Sequence, residues 1–453
     1  MASLLVAALV ADAASRPRQV EKVAPPMSSR SNELKVYVYP EKTIDMFTRC
    51  AHLLQGPASG AAVAAVAKKA RWSAVHSKSA DAFEHADHRK HNVDLYFVRA
   101  VLSEAFRRMS VPAEDATLFV IPAMCTQSAS GRCRGRTGWN RTAHQHHAHV
   151  DNLQQLGRLM QASPWFSRHQ GADHFIVCDM VRHDVRQWRD PSTGKRVFEN
   201  IITTHYESKT TRLIGVGDTA TPAAVGTRPC PKVAFKAVED REHLLQGVFS
   251  LHLTHRGGKH MANRERLRLA CDWQSGCASP SSLDGIYMAV PDGLHLHEEV
   301  CRSLVANYSM CHPRPFSGEV GVCEAERIAA NSRMSLSPAG DTPTTERLIN
   351  AFRLLTPTAV LHDQMDWVVR AMPFKSIVPW RKLLIPLHYN KSAPITSLAQ
   401  SARAVSFERL RAVIQLMRKH RRDVLWHING SVAHLHVLRE AQSTAEQAIT
   451  SAL

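Results

Sequence analysis

The chain has 453 residues, of which 44% are hydrophobic and 21% charged, and its formal net charge is +17. The length supports two cores rather than one, and the composition is that of an ordinary soluble globular protein. Beyond the first residues no stretch approaches the roughly 18 uninterrupted apolar residues that a membrane span needs, which excludes a body built on spanning helices.

In chain order, Ser3–Ala11 is an apolar run ahead of an Ala-x-Ala-like site at Ala11–Ala13, with no basic residues before it. A signal peptide, an Ala-rich unstructured start and a truncated membrane anchor all stay open. Residues 1–33 read as this leader and a Pro/Ser linker, and Gln55–Ala70 as a loop or weak helix. Asn92–Met109 has helical periodicity in Leu95, Val98, Leu102 and Phe106. The strand Thr117–Ile121 follows, then a polar Arg/Gly/His-rich insertion, Thr126–Ala148, a helix at Asn152–Phe166 and a buried strand at His174–Cys178. The alternation predicts a parallel sheet.

A Gly/Pro/Thr-rich stretch at Pro222–Pro231 marks a domain boundary. Strand-like patterning restarts at Glu242–Leu253, and Asn263–Ala270 reads as a helix. Ser332–Leu336 reads as a strand, a Gly-containing loop follows, and Leu348, Ala351, Phe352 and Leu355 recur at helical spacing before the strand Thr358–His362. Thr342 can cap that helix, with Pro343 at its first position. Ser406–Leu425 reads as an amphipathic helix with Leu410, Val413, Ile414 and Met417 on one face. It suits packing back across the first domain, with a basic surface facing lipid headgroups as the other reading.

The β-loop-α junction at Gly340, Asp341 and Thr342 is where α/β proteins hold phosphate. Free N–H groups and the positive helix end point at the ligand, and Gly lets the backbone approach. Arg347 lies one turn into the helix and can fork onto phosphate oxygens, while Glu346 and Asn350 lie on a polar line that can bond a ribose. A capped surface helix with solvated charges is the competing reading of the same spacing.

The segment Ser337–Leu348 resembles the Pro-x-Gly-Asp-Thr-Pro-Ser/Thr-x-x-Arg-Leu signature of the exostosin-like glycosyltransferases, family 47. Other blocks resemble that family in its own order: Lys35–Tyr39 its opening strand, Pro112–Pro122 its Ala-x-Leu-Phe-x-x-Pro segment, Gly171–Val177 its Gly-x-Asp-His-Phe strand, and Met372–Phe374 with Trp380 its Pro-Phe…Trp segment. The resemblance spans roughly residues 35–390. It implies an α/β, GT-B-like fold of two Rossmann-like domains with parallel sheets facing a central cleft. It also implies inverting transfer of a sugar from a UDP-sugar to a glycan, with Ser337, Gly340, Asp341, Thr342, Glu346, Arg347 and Asn350 on the nucleotide sugar. Three departures stand out: Asn350 where the family has an acidic residue, Leu355–Ala359 where it has a Gly-Cys-x-Pro-Val turn, and an insertion at Asp366–Ala371. They motivate an alternative, a catalytically inactive glycan-binding or scaffolding member.

Such transfer needs a base for the acceptor hydroxyl, positive groups for the leaving diphosphate and a cleft that excludes water. The chain has no Asp-x-Asp for a metal. The expectation is therefore a metal-independent site, with no cofactor beyond the UDP-sugar donor, served by Arg347 and by Arg264 or Arg266. For the base, Asp179, His183 and Asp184 follow the first domain's central strand at its carboxyl end, where ligands gather in such folds. Asp173 and His174 sit at its other end, and each of these residues also has a purely structural reading. His144, His146, His147 and His149 are set aside as metal ligands because nothing in the insertion fixes them.

The positive charge suits anionic partners such as nucleotide sugars, acidic glycans or headgroups. Nucleic acid is disfavoured, because basic residues are scattered, aromatics are sparse and zinc-finger, RNP and KH signatures are missing. Ten cysteines lack any Cys-x-x-Cys, and Cys125/Cys133 and Cys271/Cys277 could close short loops. Sequons at Asn140, Asn307, Asn390 and Asn429 join them in favouring the Golgi or secretory lumen, with membrane association open. The expected organisation is 1–33 leader and linker, 34–225 acceptor domain, 226–395 nucleotide-sugar domain and 396–453 helical tail.

Overall fold

The computed structural model describes residues 33–40, 93–129, 143–178, 185–205, 213–215, 224–225, 228–229, 233–248, 261–275, 283–289, 301–302, 304–305, 311, 322–338 and 346–451. The chain divides into the units Met1–Leu34 and Lys35–Leu453, and every element below belongs to the second. The readings of residues 1–32, Gln55–Ala70 and the sequons at Asn140 and Asn307 lie outside the described residues.

The first part of that unit runs β1 (Val36–Val38), α1 (Val93–Val101), α2 (Glu104–Arg107), β2 (Leu118–Ile121), α3 (Cys125–Ala129), α4 (Ala143–Gln161), α5 (Pro164–Arg168), β3 (His174–Ile176), β4 (Ile202–His205) and β5 (Leu213–Gly215). The five strands form one parallel sheet in the order β1-β2-β3-β4-β5. Every residue of β2 is buried, as expected when helices cover both faces of a parallel sheet and the strand becomes a continuous apolar run.

A short antiparallel pair, β6 (Ala224–Val225) and β7 (Arg228–Pro229), falls in the Pro222–Pro231 stretch. Beyond it come β8 (His243–Val248), α6 (Met261–Ser275), β9 (Ile286–Ala289), α7 (Val322–Ala330), β10 (Ser332–Leu336), α8 (Glu346–Arg353), β11 (Thr358–Leu361), α9 (Met365–Ala371), α10 (Trp380–Leu383) and β12 (Leu384–Leu387). Their strands form a second parallel sheet in the order β12-β11-β10-β8-β9. Four helices close the chain: α11 (Pro394–Arg403), α12 (Phe407–Lys419), α13 (Arg421–Val424) and α14 (Ala433–Thr450). This is the α/β, GT-B-like arrangement of two parallel sheets that the sequence predicts.

The tail is the link between the sheets. Leu410, Val413, Ile414 and Met417 are buried, as their spacing predicts, but α12 stays with the second sheet's side and the helix that crosses back is α14. It packs on α1, β2, β4 and β5, and its Gln442 Oε1 accepts the Lys35 N–H at 2.9 Å. The predicted single helix Ser406–Leu425 is broken at His420, whose Nδ1 lies 2.9 Å from Asp423. The other oxygen of Asp423 meets His436 Nε2 on α14, also at 2.9 Å, so one carboxylate joins α13 to α14.

Three other expectations are corrected. The helix predicted over Asn92–Met109 is two, because Ser103 leaves helical geometry and caps α2 by accepting the Phe106 N–H at 3.3 Å. The Thr126–Ala148 insertion is partly helical: α3 falls in its first residues, and α4 starts at Ala143, well before Asn152. Neither short loop is closed by a disulfide. The bonds are Cys125–Cys178, with Cα atoms 5.1 Å apart, and Cys271–Cys301, at 5.3 Å. They join elements that neighbour in space rather than in sequence, and Cys311 and Cys323 are also disulfide-bonded.

At the amino end of the second sheet, buried Arg241 donates from Nη1 to Ser332 O at 3.0 Å and from Nη2 to Leu355 O at 3.1 Å. Burial, with Arg418 nearby, lowers its pKa to about 10. Leu355 has φ of +53°. The turn thus keeps at Leu355 the left-handed backbone that a glycine adopts without strain, although the residue is not glycine.

Candidate functional site

The second sheet supplies the topology for a ligand crevice. Numbered from β8, its strand order is 2-1-3-4-5 read from β9, so connections leave in opposite directions on either side of β8 and β10. In open α/β sheets the crevice outside the carboxyl ends of the strands, at this reversal, is where ligands sit. A short side-chain contact joins the two strands here, Gln246 Nε2 donating to Ser335 Oγ at 2.5 Å. Past β10, the Ser337 N–H continues the ladder to Ala359 O at 2.9 Å, and the chain then enters the loop that leads to α8.

Ser337 is 3% exposed. Gly340, Asp341, Thr342 and Pro343 lie outside the described residues, as does the side chain of Glu346. Arg347 is half-buried in the first turn of α8, and Leu348, Ala351 and Phe352 are buried as the helical spacing predicts. Asn350 turns its carbonyl oxygen to Arg353, accepting from Nε at 3.0 Å and Nη2 at 2.7 Å, and Arg353 is paired in turn with Glu326 at 2.6 Å.

Of the second arginine pair, Arg264's side chain lies outside the described residues, whereas Arg266 is 4% exposed and comes to the loop. Its Nε and Nη2 donate to Pro338 O at 3.3 and 3.2 Å. Helix α6 therefore delivers a guanidinium to the start of the signature loop, 72 residues away in sequence.

Residues the sequence reading missed complete the rim. Glu265 accepts from the Tyr389 hydroxyl at 2.5 Å and is ion-paired with Arg268. Burial pushes the Tyr389 phenol well above its ordinary value, and the Glu265 bond adds to it, so the hydroxyl is a fixed donor. His362 and His388, the residues immediately after β11 and β12, stack with ring centroids 4.0 Å apart. Both follow a strand's last residue, a signal hidden in the sequence because His362 reads as part of its strand and β12 is not predicted as one.

At the first sheet, Asp179, His183 and Asp184 lie outside the described residues. What leads to them is described: Cys178 is bonded to Cys125, and its N–H donates to Thr204 Oγ1 at 3.0 Å. Nearby, fully buried Asp94 accepts from Gln127 through its N–H at 3.0 Å and its Nε2 at 2.8 Å. Ser128 Oγ accepts from Asn152 Nδ2 at 2.7 Å and meets His149 Nδ1 at 3.2 Å. Among the described residues, no group of three His, Cys, Asp or Glu side chains could hold a metal ion.

At the opposite end of β3, Asp173 and His174 are completely buried. His174 bridges Asp173 Oδ1, at 2.7 Å, and the Tyr39 hydroxyl, at 2.9 Å, and Tyr39 continues to Ser163 Oγ at 2.8 Å. Burial alone raises the Asp173 carboxyl, but bonds from His174 and Arg168 outweigh it and hold the pKa low. Burial pushes the His174 imidazole down and the Tyr39 phenol up to about 12. Every polar group here has a partner inside the protein, the mark of a structural network.

No protein-family model matches the chain, and no curated protein matches it. Among solved structures it is similar to a protein described as a UDP-N-acetylglucosamine 2-epimerase from Listeria monocytogenes. That alignment covers 75% of this chain and 95% of the other, at 10% identity and a TM-score of 0.30. The class defined by the strands themselves is an α/β, GT-B-like protein of two parallel sheets, the second with its strand order reversing at β8 and β10.

Proposed function

We propose that the protein is an inverting, exostosin-like glycosyltransferase that moves a sugar from a UDP-sugar to a glycan acceptor without a metal. The observation that supports this reading is the position of the signature segment. Strand β10 and helix α8, which bracket residues 337–345, flank the reversal of strand order at β8 and β10. In this reading the diphosphate lies against the loop and the amino end of α8, with Gly340, Asp341, Thr342 and Glu346 around the nucleotide. Arg347 and Arg266 meet the leaving-group charge in place of a cation. The base for the acceptor hydroxyl comes from Asp179, His183 or Asp184, a His held by an Asp being suited to work near neutral pH.

UDP binding by calorimetry tests the nucleotide half. Arg347→Ala should weaken it by about tenfold or more, the worth of a charge-assisted bond; unchanged affinity would remove Arg347 from its role. A screen of UDP-sugars for turnover, with and without EDTA, tests the rest. Loss of turnover in EDTA would overturn the metal-independent reading.

One observation favours the second reading, a non-catalytic glycan-binding or scaffolding member. The Asn350 oxygen is already committed to Arg353, and Arg353 to Glu326. UDP binding without turnover of any donor would select that reading. The Golgi or secretory lumen remains the proposed location. It is supported by the disulfides and by the exposure of Asn390 and Asn429, the sequon asparagines among the described residues.

A further inference from the structure

The second sheet has a concavity at the amino ends of its strands. A cavity of about 370 Å³ is lined by Glu242 just before β8, Leu244 on it, Asp284 before β9, Arg333 on β10, and Arg403 and Phe407, which end α11 and begin α12. Arg333 is the second residue of β10, whereas the crevice described above begins after its last, Leu336. At about 3.3 Å per residue the two sites are separated by the length of the strand and open at opposite ends of the sheet.

Its walls carry an unusual combination. The Arg333 guanidinium lies over the Phe407 ring, 4.9 Å from its centroid. Its Nε is buried with no acceptor, and its Nη2 reaches only Glu239 O, at 3.5 Å. Arg403 Nη2 donates to the backbone carbonyl of Asp284 at 3.1 Å, which leaves the exposed Asp284 carboxylate beside it. Phe407 remains 37% exposed although it is a large aromatic. The lining thus mixes guanidiniums with carboxylates, of which Glu242 is also paired with Lys236 at 3.0 Å, beside a partly exposed ring that Arg333 covers on one face.

A simple anion is a poor match, because two carboxylates line the cavity with the two guanidiniums. An apolar ligand is no better, because the lining is charged. Sugar hydroxyls fit both kinds of wall, since each donates and accepts, and the C–H face of a pyranose suits the part of the Phe407 ring that Arg333 leaves exposed. The volume is within the range of about 300–1,000 Å³ usual for ligand sites. We infer that the cavity between the amino ends of the second sheet and the α11–α12 connection is a saccharide-binding site, for an uncharged oligosaccharide, separate from the proposed donor crevice. It stands on its own geometry and does not require the transferase reading.

The full chain is titrated calorimetrically with cellotetraose, xylotetraose and chitotetraose, and with tetragalacturonate as an acidic counterpart. At least one neutral tetrasaccharide should bind. Phe407→Ala and Asp284→Ala should each weaken it about tenfold or more, as expected for truncating a contact worth over 1 kcal/mol. Phe407→Trp should retain binding, which separates loss of the ring from loss of the fold. UDP affinity should be the same in all three variants, so failure of this site and failure of the donor site are read independently. The inference is overturned if no neutral tetrasaccharide binds at millimolar concentration, if tetragalacturonate binds more tightly than all of them, or if the Ala variants bind as well as the parent.

Discussion

The two parallel sheets have the same number of strands and different uses for their ends. The first runs β1 to β5 in sequence order, so among the described residues it has no reversal, and the polar groups at the amino end of β3 are closed on one another. The second reverses at β8 and β10, with Arg266 bonded to Pro338 past one end of β10 and an Arg333–Phe407 cavity at the other end of the sheet. Equal strand number therefore does not mean equal use of the strand ends. Where polar side chains satisfy one another they hold the fold, and where they are left facing a concavity they can hold a ligand.

The sharpest way to break that contrast is Asp173→Ala. It would strand His174 and Arg168 around a fully buried site, and removing one member of such a network costs about 3–5 kcal/mol. Urea unfolding should show that loss, while UDP affinity of the folded protein stays unchanged. A large fall in UDP affinity with little loss of stability would make the closed network a functional site after all.

The next effect belongs to α14, the helix that covers the first sheet. Burial pushes the Glu440 carboxyl up to about 7 from 4.5, with Lys375 pulling the other way. The folded state then binds the extra proton, so stability falls as pH rises from about 4.5 to about 7 and is flat above. His427 and His434 run oppositely. Burial lowers both to about 4 from 6.5, so their contribution is present above pH 6.5 and is lost as pH falls toward 4. Glu440→Gln should raise unfolding free energy by about 3 kcal/mol at pH 8 and by nearly nothing at pH 4.5. An equal gain at both pH values would mean that charge burial is not its source.

Periodicity and caps carry many of the strands and helices, because β2 and β11 are short, largely apolar buried runs and Leu348, Ala351 and Phe352 repeat at one helix face. Breaks inside helices are less legible. Ser103 and His420 end helices through their own side-chain bonds while the apolar spacing continues past them. Disulfide partners are illegible for a plainer reason: Cys125 meets Cys178 only once β2 and β3 pair, and sequence distance favours the wrong neighbour. Of the site, Arg266 was legible as a candidate. Glu265 and Tyr389 were not, since their contact joins residues 124 apart.

Arg266→Ala probes the second sheet's carboxyl end. The guanidinium braces Pro338 at the mouth of the signature loop, so its loss should weaken UDP binding by about 1.5–3 kcal/mol, the range for a bond to a charged group. Arg266→Lys should recover little, because a single ammonium cannot reproduce the two-nitrogen contact. Full recovery by Lys would show that charge alone matters and that the brace on the loop does not.

The smallest expected change is Tyr389→Phe. The hydroxyl donates to Glu265, which also holds Arg268, so removing it deletes one bond without emptying space, at about 1 kcal/mol. If the Tyr389–Glu265 pair belongs to the functional rim, UDP affinity should fall by several fold beside that loss of stability. The same loss of stability with unchanged UDP affinity would assign the Tyr389–Glu265 pair to holding α6 against the end of β12, and would narrow the crevice to the loop after β10.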